Sequence, residues 1–348
     1  MKTTKLSVGV VGLQVGQAHV TDYLASNAVG EVVICDLNER RLHETGDKYG
    51  IKKRYADFTH MLSREHLDAV SIALPNKLHL PATLQALEAG CHVLCEKPMG
   101  RTAAEAEKML EAAKRHGKKL MINFSLRPNP VVQAVKTMVD AGKLGTIYFA
   151  RTLWVRRRGV PWWYPLDRAR EMCGGGPVID IGVHVLDRAM WMCGFPEPEW
   201  VLGNTFCQIA GDEAKQRGLP GFDLEDMGVA MIRMRNGMML ELEASWASNR
   251  ENEEITTQLY GSKGGVLITH VVGGPDKEEL YWEIDGHPCN VKFDQLPPMP
   301  GIRQLFLDAI LNDTDVLCTP EQGVLINRIL DAVYQSAETG APVKMDAI

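Results

Sequence analysis

The chain has 348 residues, of which 45% are hydrophobic and 24% charged, and a formal net charge of -6. That length suggests two domains, each able to bury its own core, and the balance is that of an ordinary globular protein. A net charge of this sign gives no reason to expect nucleic acid or an anionic membrane as partner, and the only dense basic run is Arg156-Arg157-Arg158.

The eight cysteines, Cys35, Cys91, Cys95, Cys173, Cys193, Cys207, Cys289 and Cys318, are scattered, several of them in apolar runs. They read as free thiols packed like small hydrophobes. Cys91-His92-Val93-Leu94-Cys95 invites a metal. An extended strand splays that cluster across two faces and no partner pair follows, so no metal is expected. No apolar stretch reads as a signal peptide or a spanning helix, and the expected location is cytoplasmic.

Taken in chain order, the first third alternates short apolar runs with helical patterns. Buried strands are expected at 6–11, 32–35, 69–74, 92–95 and 120–122, and helices at 16–26, 39–49, 81–89 and 103–116. Pro81 suits a first helical turn; Gly90 and Gly117 suit helix ends. This is the α/β pattern of a doubly wound, Rossmann-like parallel sheet. After about Ser125 the pattern changes. A helix at 129–141 leads to a strand at 145–154, a loop, and a helix at 177–193. Strands at 228–234, 238–246, 255–260 and 265–269 follow, with a hairpin signal at Arg235-Asn236-Gly237. A terminal helix at 320–339 ends at Gly340, and 211–221 and 296–301 read as surface loops. The second half is α+β with a mostly antiparallel sheet. Two domains are expected, 1–125 for a dinucleotide and 126–348 for substrate binding and oligomerisation.

The strand, turn and helix at the start suit a phosphate cradle, in which glycines allow close backbone approach and a helix N-terminus faces the pyrophosphate. Here the turn is Gly12-Leu13-Gln14-Val15-Gly16, with Gln14 where a second glycine usually stands. Asp36 ends the second strand, where a carboxylate accepts ribose hydroxyls and repels a 2′-phosphate, so NAD is expected ahead of NADP. Arg40 and Arg41 follow; an arginine nearby can accommodate a 2′-phosphate, but solvated positions on the following helix are the favoured reading. Lys97 follows the fourth strand, at the sheet edge where such folds bind ligands; its ammonium can stabilise negative charge on a substrate oxygen. Asp180 and His184 stand four apart in a helix and share one face. The carboxylate can orient the imidazole, which then takes or returns a hydroxyl proton. Asp187 reads as structural. His19 and His79 read as packing or adenosine-side residues. In the stretch 154–164, aromatic rings and Arg156, Arg158 and Trp162 suit a sugar, polyol or sugar acid, or else an interface loop; Trp246 either reaches the same cleft or fills core.

With Ala89-Gly90-Cys91-His92-Val93-Leu94-Cys95-Glu96-Lys97-Pro98 and the Gly174-Gly175-Gly176-Pro177 helix in view, the chain resembles the glucose-fructose oxidoreductase, inositol dehydrogenase and MocA family over nearly its whole length. Leu74-Pro75-Asn76 with His79, and Asn123 with Arg127, stand where that family has its third-strand segment and its domain junction. Gln14 departs from the pattern. The resemblance implies a Rossmann domain, a C-terminal domain with an open sheet, and assembly through that sheet into homodimers or homotetramers. It implies cofactor contacts from Gly12, Gln14, Val15, Gly16, Asp36, Leu74, Pro75, Asn76, His79, Glu96, Lys97 and Asn123, and substrate contacts that include Arg127. A cis Lys97–Pro98 bond is also implied. The reading is an NAD(P)-dependent dehydrogenase of a sugar, inositol or related polyol, with Lys97, Asp180 and His184 as its catalytic groups. Two alternatives stand beside it: a redox-assisted glycoside-cleaving enzyme that retains its cofactor, and a non-catalytic dinucleotide-binding sensor.

Overall fold

The computed structural model describes residues 5–162, 169–219 and 222–346. The first unit takes in 1–124 and 300–327, the second 125–299 and 328–348. The segment 300–327 therefore packs with the first unit, beyond the contiguous span expected for it.

In the first unit, β1 (Leu6–Val11) is followed by α1 (Gln17–Ala25), β2 (Val29–Cys35), α2 (Glu39–Tyr49), β3 (Arg54–Tyr55), α3 (Phe58–Arg64), β4 (Ala69–Ile72), α4 (His79–Glu88), β5 (His92–Cys95), α5 (Ala103–His116) and β6 (Leu120–Ile122). The strands form one sheet in the order β3-β2-β1-β4-β5-β6, and every pair is parallel. Strand order reverses between β1 and β4, the crevice where open α/β sheets bind ligands. The helices are locally specified. Asn38 and Thr102 cap α2 and α5, and Gly50 and Gly117 close them in the left-handed region.

The second unit starts with α6 (Pro130–Asp140), capped by Asn129 with Pro130 at the first turn. There follow β7 (Ile147–Val155), α7 (Ala169–Cys173), a π-helical turn (Val178–Gly182), α8 (Val183–Met192), β8 (Pro198–Phe206) and α9 (Ala210–Gln216). Strands β9 (Met227–Met234), β10 (Met239–Ser245), β11 (Glu254–Gly261), β12 (Gly264–Val271), β13 (Lys277–Ile284) and β14 (His287–Lys292) come next. Helix α10 (Ile302–Leu311) belongs to the first unit. The chain closes with α11 (Pro320–Thr339), which runs through the boundary between the units, and β15 (Val343–Lys344). The sheet order is β14-β13-β12-β11-β7-β10-β9-β8-β15, antiparallel except for β7 with β10. One face is covered by α8: Thr152 of β7 donates to Val185 O, and Arg188 of α8 donates to Thr257 of β11.

Two readings need correction. The stretch 211–221 is not all loop, because α9 occupies most of it; Asp226 accepts from the backbone N–H groups of Ile209 and Ala210 and holds its start. The helix expected at 177–193 opens as a π turn rather than as regular α-helix.

Candidate active-site residues in the two units

In the first unit, β1 is followed by Gly12 with a φ of 86°, and a Cβ there would lie 2.4 Å from Ala73 O. A Cβ on Gly16 would lie 2.2 Å from Gly12 O. Both glycines are thus demanded by the turn itself. Gln14 and Val15 stand exposed at its tip, and α1 begins at Gly16 with no side-chain cap. An uncapped helix start beside a backbone-only turn, at the switch point of the sheet, fits a pyrophosphate.

Asp36 is buried beside this turn. Its Oδ2 accepts from Leu13 N–H at 2.7 Å and from Arg41 Nη1 at 3.2 Å; its Oδ1 accepts from Asn38 N–H at 2.8 Å. Arg40 points outward to Glu44. Arg41 is therefore not the solvated helix position read from sequence.

Leu74, Pro75 and Asn76 form the loop after β4, and Lys97 and Pro98 the loop after β5, with the Lys97–Pro98 peptide cis. His79 is fully buried between the two loops. Its Nδ1 lies 2.8 Å from Pro98 O and its Nε2 2.8 Å from Leu74 O. Burial pushes this imidazole below its ordinary range, and in the neutral form it donates to one carbonyl at a time. Behind Lys97 lies a second polar cluster. Glu96 Oε1 accepts from His19 Nε2 at 2.9 Å and from the Asn123 amide, while His19 Nδ1 meets Ser71 Oγ at 2.6 Å. Burial alone would raise the Glu96 carboxyl. The His19 hydrogen bond and the charges of His19 and Lys97, with the Asn123 amide, outweigh it and hold the group at about 2. His19 and Asn123 thus serve Glu96, and Glu96 Oε2 in turn accepts from Lys97 N–H at 3.3 Å.

In the second unit, Glu225 Oε1 accepts from Gly176 N–H at 2.8 Å and from the Tyr334 hydroxyl at 2.7 Å. A Cβ on Gly175 would lie 2.0 Å from Tyr334 Oη, and one on Gly176 would lie 2.3 Å from Glu225 O. These glycines are needed for the protein's own packing. The π turn and α8 then carry Asp180 and His184. Asp180 Oδ2 accepts from Trp246 Nε1 at 3.0 Å, and the His184 ring packs on Trp154 with centroids 5.5 Å apart. Both residues are half-buried. Glu253 Oε1 accepts from Trp154 Nε1 at 2.9 Å and from Arg156 Nε at 3.0 Å, and the Arg156 guanidinium lies over the Trp154 ring.

Other substrate-side expectations fare differently. Arg127 is not at a binding surface: it is wholly buried and doubly bonded to Asp187, at 2.9 and 2.6 Å, between Trp191 and Phe195. Trp246 is core; its polar edge reaches Asp180, so it can act only through that carboxylate. Arg158 donates to Ser248 O and Asn249, and Trp162 packs between Phe222 and Arg217. Trp163 and Tyr164, from the same aromatic stretch, lie outside the described residues. Among the described residues no group of His, Cys, Asp or Glu could hold a metal, and no helix is long and apolar enough to cross a membrane. Sequence reasoning passed over Glu225, Tyr334 and Glu253. The only signal for the first two was the run of glycines whose Cβ atoms they exclude; Glu253 had none.

A parallel dinucleotide-type unit, joined to an α+β unit with a long open sheet and an Asp–His helix, defines a two-domain nicotinamide oxidoreductase. The chain belongs to the Gfo/Idh/MocA oxidoreductase family: residues 6–124 match the family described as "Oxidoreductase family, NAD-binding Rossmann fold", and 132–267 match the GFO/IDH/MocA C-terminal domain. It is 32% identical to D-glucoside 3-dehydrogenase of Escherichia coli, over 99% of each chain. It is 28% identical to levoglucosan dehydrogenase of Pseudarthrobacter phenanthrenivorans, over 76% of this chain and 74% of that one. In fold it is similar to a levoglucosan dehydrogenase solved with NADH and L-sorbose, with a TM-score of 0.85 and 24% identity, covering 99% of this chain and all of the other.

Proposed function

We propose that this enzyme transfers a hydride between a nicotinamide dinucleotide, NAD ahead of NADP, and a hydroxyl-bearing carbon of a sugar, inositol or related polyol. The observation that carries the reading is the setting of the Asp180–His184 helix: one residue is held by the Trp246 indole, the other packed on the Trp154 ring. The bound nicotinamide supplies the hydride acceptor or donor. His184 takes the proton of the substrate hydroxyl, and Asp180 stabilises the imidazolium that forms. Lys97 supplies the positive charge that offsets the charge growing on the substrate oxygen. The Trp154 ring and the Arg156–Glu253 pair suit the C–H face and hydroxyls of a sugar ring. That the relatives are named for glucoside, levoglucosan and xylose supports the substrate class.

The test is nicotinamide absorbance with NAD and NADP in parallel across aldoses, inositols, glycosides and sugar acids, for wild type and His184→Ala. Signal with one sugar class, abolished by His184→Ala while cofactor binding persists, is the expected result. Unchanged turnover in the variant would sink the proton-transfer role. Product formation without net NADH would favour the cofactor-retaining glycoside-cleaving reading. Cofactor binding with no chemistry across the panel would favour the sensor.

A further inference from the structure

We propose that Glu225 is a positioning residue for the proton-transfer pair: through Gly176 it fixes where Asp180, and with it His184, stands. The inference rests on the Asp180–His184 reading above and assigns a role to a residue outside it. Asp180 sits in the π turn Val178–Gly182, whose start has no side-chain cap of its own. A helix start leaves backbone N–H groups to be satisfied from elsewhere, and a π turn lacks the regular ladder that holds an α-helical residue. Here the acceptor comes from 49 residues along the chain. Glu225 Oε1 accepts from Gly176 N–H at 2.8 Å, and the Tyr334 hydroxyl, donating to the same oxygen at 2.7 Å, aims the carboxylate. Gly176 O in turn accepts from Asp180 N–H at 3.0 Å.

A second anchor leads from the same segment to the Asp180 side chain. Asp226 O accepts from Trp246 N–H at 2.9 Å and from Ser245 Oγ at 3.0 Å, and the Trp246 indole donates to Asp180 Oδ2 at 3.0 Å. Asp180 is thus held at its backbone through Glu225 and at its carboxylate through Asp226. The segment itself is fixed. Leu224, Glu225 and Asp226 are buried, Asp226 N–H donates to Phe206 O at 2.7 Å, and the Asp226 carboxylate holds the start of α9. What Glu225 supplies is an acceptor at a set reach rather than a charge. Burial raises its carboxyl above the ordinary value, and the Tyr334 and Gly176 hydrogen bonds offset this only in part. Arg170 Nη2 stands 3.8 Å from Oε2, too far for a hydrogen bond.

The experiment compares the full chain as wild type, Glu225→Asp, Glu225→Gln and Ser336→Ala. Glu225→Asp keeps the charge but draws the carboxylate back from Gly176; Glu225→Gln keeps the reach without the charge. Ser336→Ala is the control for lost stability, because Ser336 accepts a buried glycine N–H in the same unit, from Gly203, and makes no bond to the π turn. The readouts are kcat and KM on the best sugar of the panel, NAD affinity by calorimetry, melting temperature, and the NMR resonance of the Trp246 indole N–H, assigned with Trp246→Phe. That resonance reports on Asp180 without substrate. We expect Glu225→Asp to lower kcat about tenfold or more, the scale of a misplaced catalytic group. It should also shift the indole resonance and leave KM and NAD affinity as in wild type. Glu225→Gln should match wild type in rate and resonance, and Ser336→Ala should melt lower with both unchanged. A Glu225→Asp protein that melts lower yet keeps the wild-type kcat and resonance would make Glu225 structural only and overturn the proposal. Glu225→Gln as slow as Glu225→Asp would also overturn it, because charge rather than an acceptor would then be what matters. A wild type inactive on every sugar would end the dehydrogenase reading, while the indole resonance would still decide whether Glu225 holds Asp180.

Discussion

Glu96 shows how a charge is kept inside the first unit. Four elements meet on it or on its partner: His19 from α1, Ser71 from β4, Glu96 at the end of β5 and Asn123 at the end of β6. Its carboxyl is depressed from 4.5 to about 2. A depressed folded pKa contributes stability above the unfolded value, and that stability fades as pH falls from about 4.5 toward 2. Glu96→Gln should therefore cost about 3 kcal/mol near neutral pH, an order-of-magnitude figure from the linkage relation. The cost should shrink steadily below about pH 4.5. Denaturant unfolding of wild type and variant at several pH values checks this; a penalty that does not change with pH would assign Glu96 a packing role instead. Glu96 and Lys97 were legible in sequence because they are adjacent. The roles of His19 and Asn123 were not, because nothing in one-dimensional order marks a hydrogen bond across three strands.

The start of the Asp180–His184 helix makes the same point for an element. The sequence reading placed a helix start at Pro177, and the structure begins a π turn there. The glycines yield room to Tyr334 and Glu225, which stand far along the chain. Gly175→Ala should cost about 1–3 kcal/mol, the usual range for overpacking, because its Cβ would strike the Tyr334 side chain. The neighbour is a side chain, so Tyr334→Ala in the same molecule should recover part of the loss. Gly176→Ala meets the Glu225 carbonyl, which cannot swing away, and Tyr334→Ala should not rescue it. Melting temperatures of the two single and two double variants separate these cases. Equal rescue at both positions would refute the distinction. Elements with strong periodicity were readable in the same way: β1, α2, α5 and β10 fall close to their expected spans. Those that were missed include the very short β3 and β15 and the largely polar, outward-facing β13 and β14. Neither class leaves a hydrophobic period to read.

For the whole molecule, sequence gave the two sheet types but neither strand order nor the return of 300–327 to the first unit. Both depend on long-range pairing, to which local pattern is blind. The second sheet raises a question of its own. Its α8 side is closed, whereas the other face presents Val229 and Met231 of β9, Met239 of β10, Phe149 of β7 and Tyr260 of β11, all half-exposed, and Leu202 of β8, which is exposed. Arg151 pairs with Glu241 and Glu243 across the middle of this face. A broad apolar face crossed by self-contained ion pairs suits a two-fold partner, because like faces then meet without stranding a charge. We therefore expect a homodimer or homotetramer built through this sheet. The double variant Val229→Asp, Met231→Asp places two unpaired charges in the contact and should shift the mass in solution to that of one chain. The first unit should keep its affinity for NAD, because none of its residues is touched. Light scattering with size exclusion reads the mass, and calorimetry reads the cofactor. A variant that stays oligomeric would move the interface elsewhere, and a wild type that runs as a single chain at micromolar concentration would remove it.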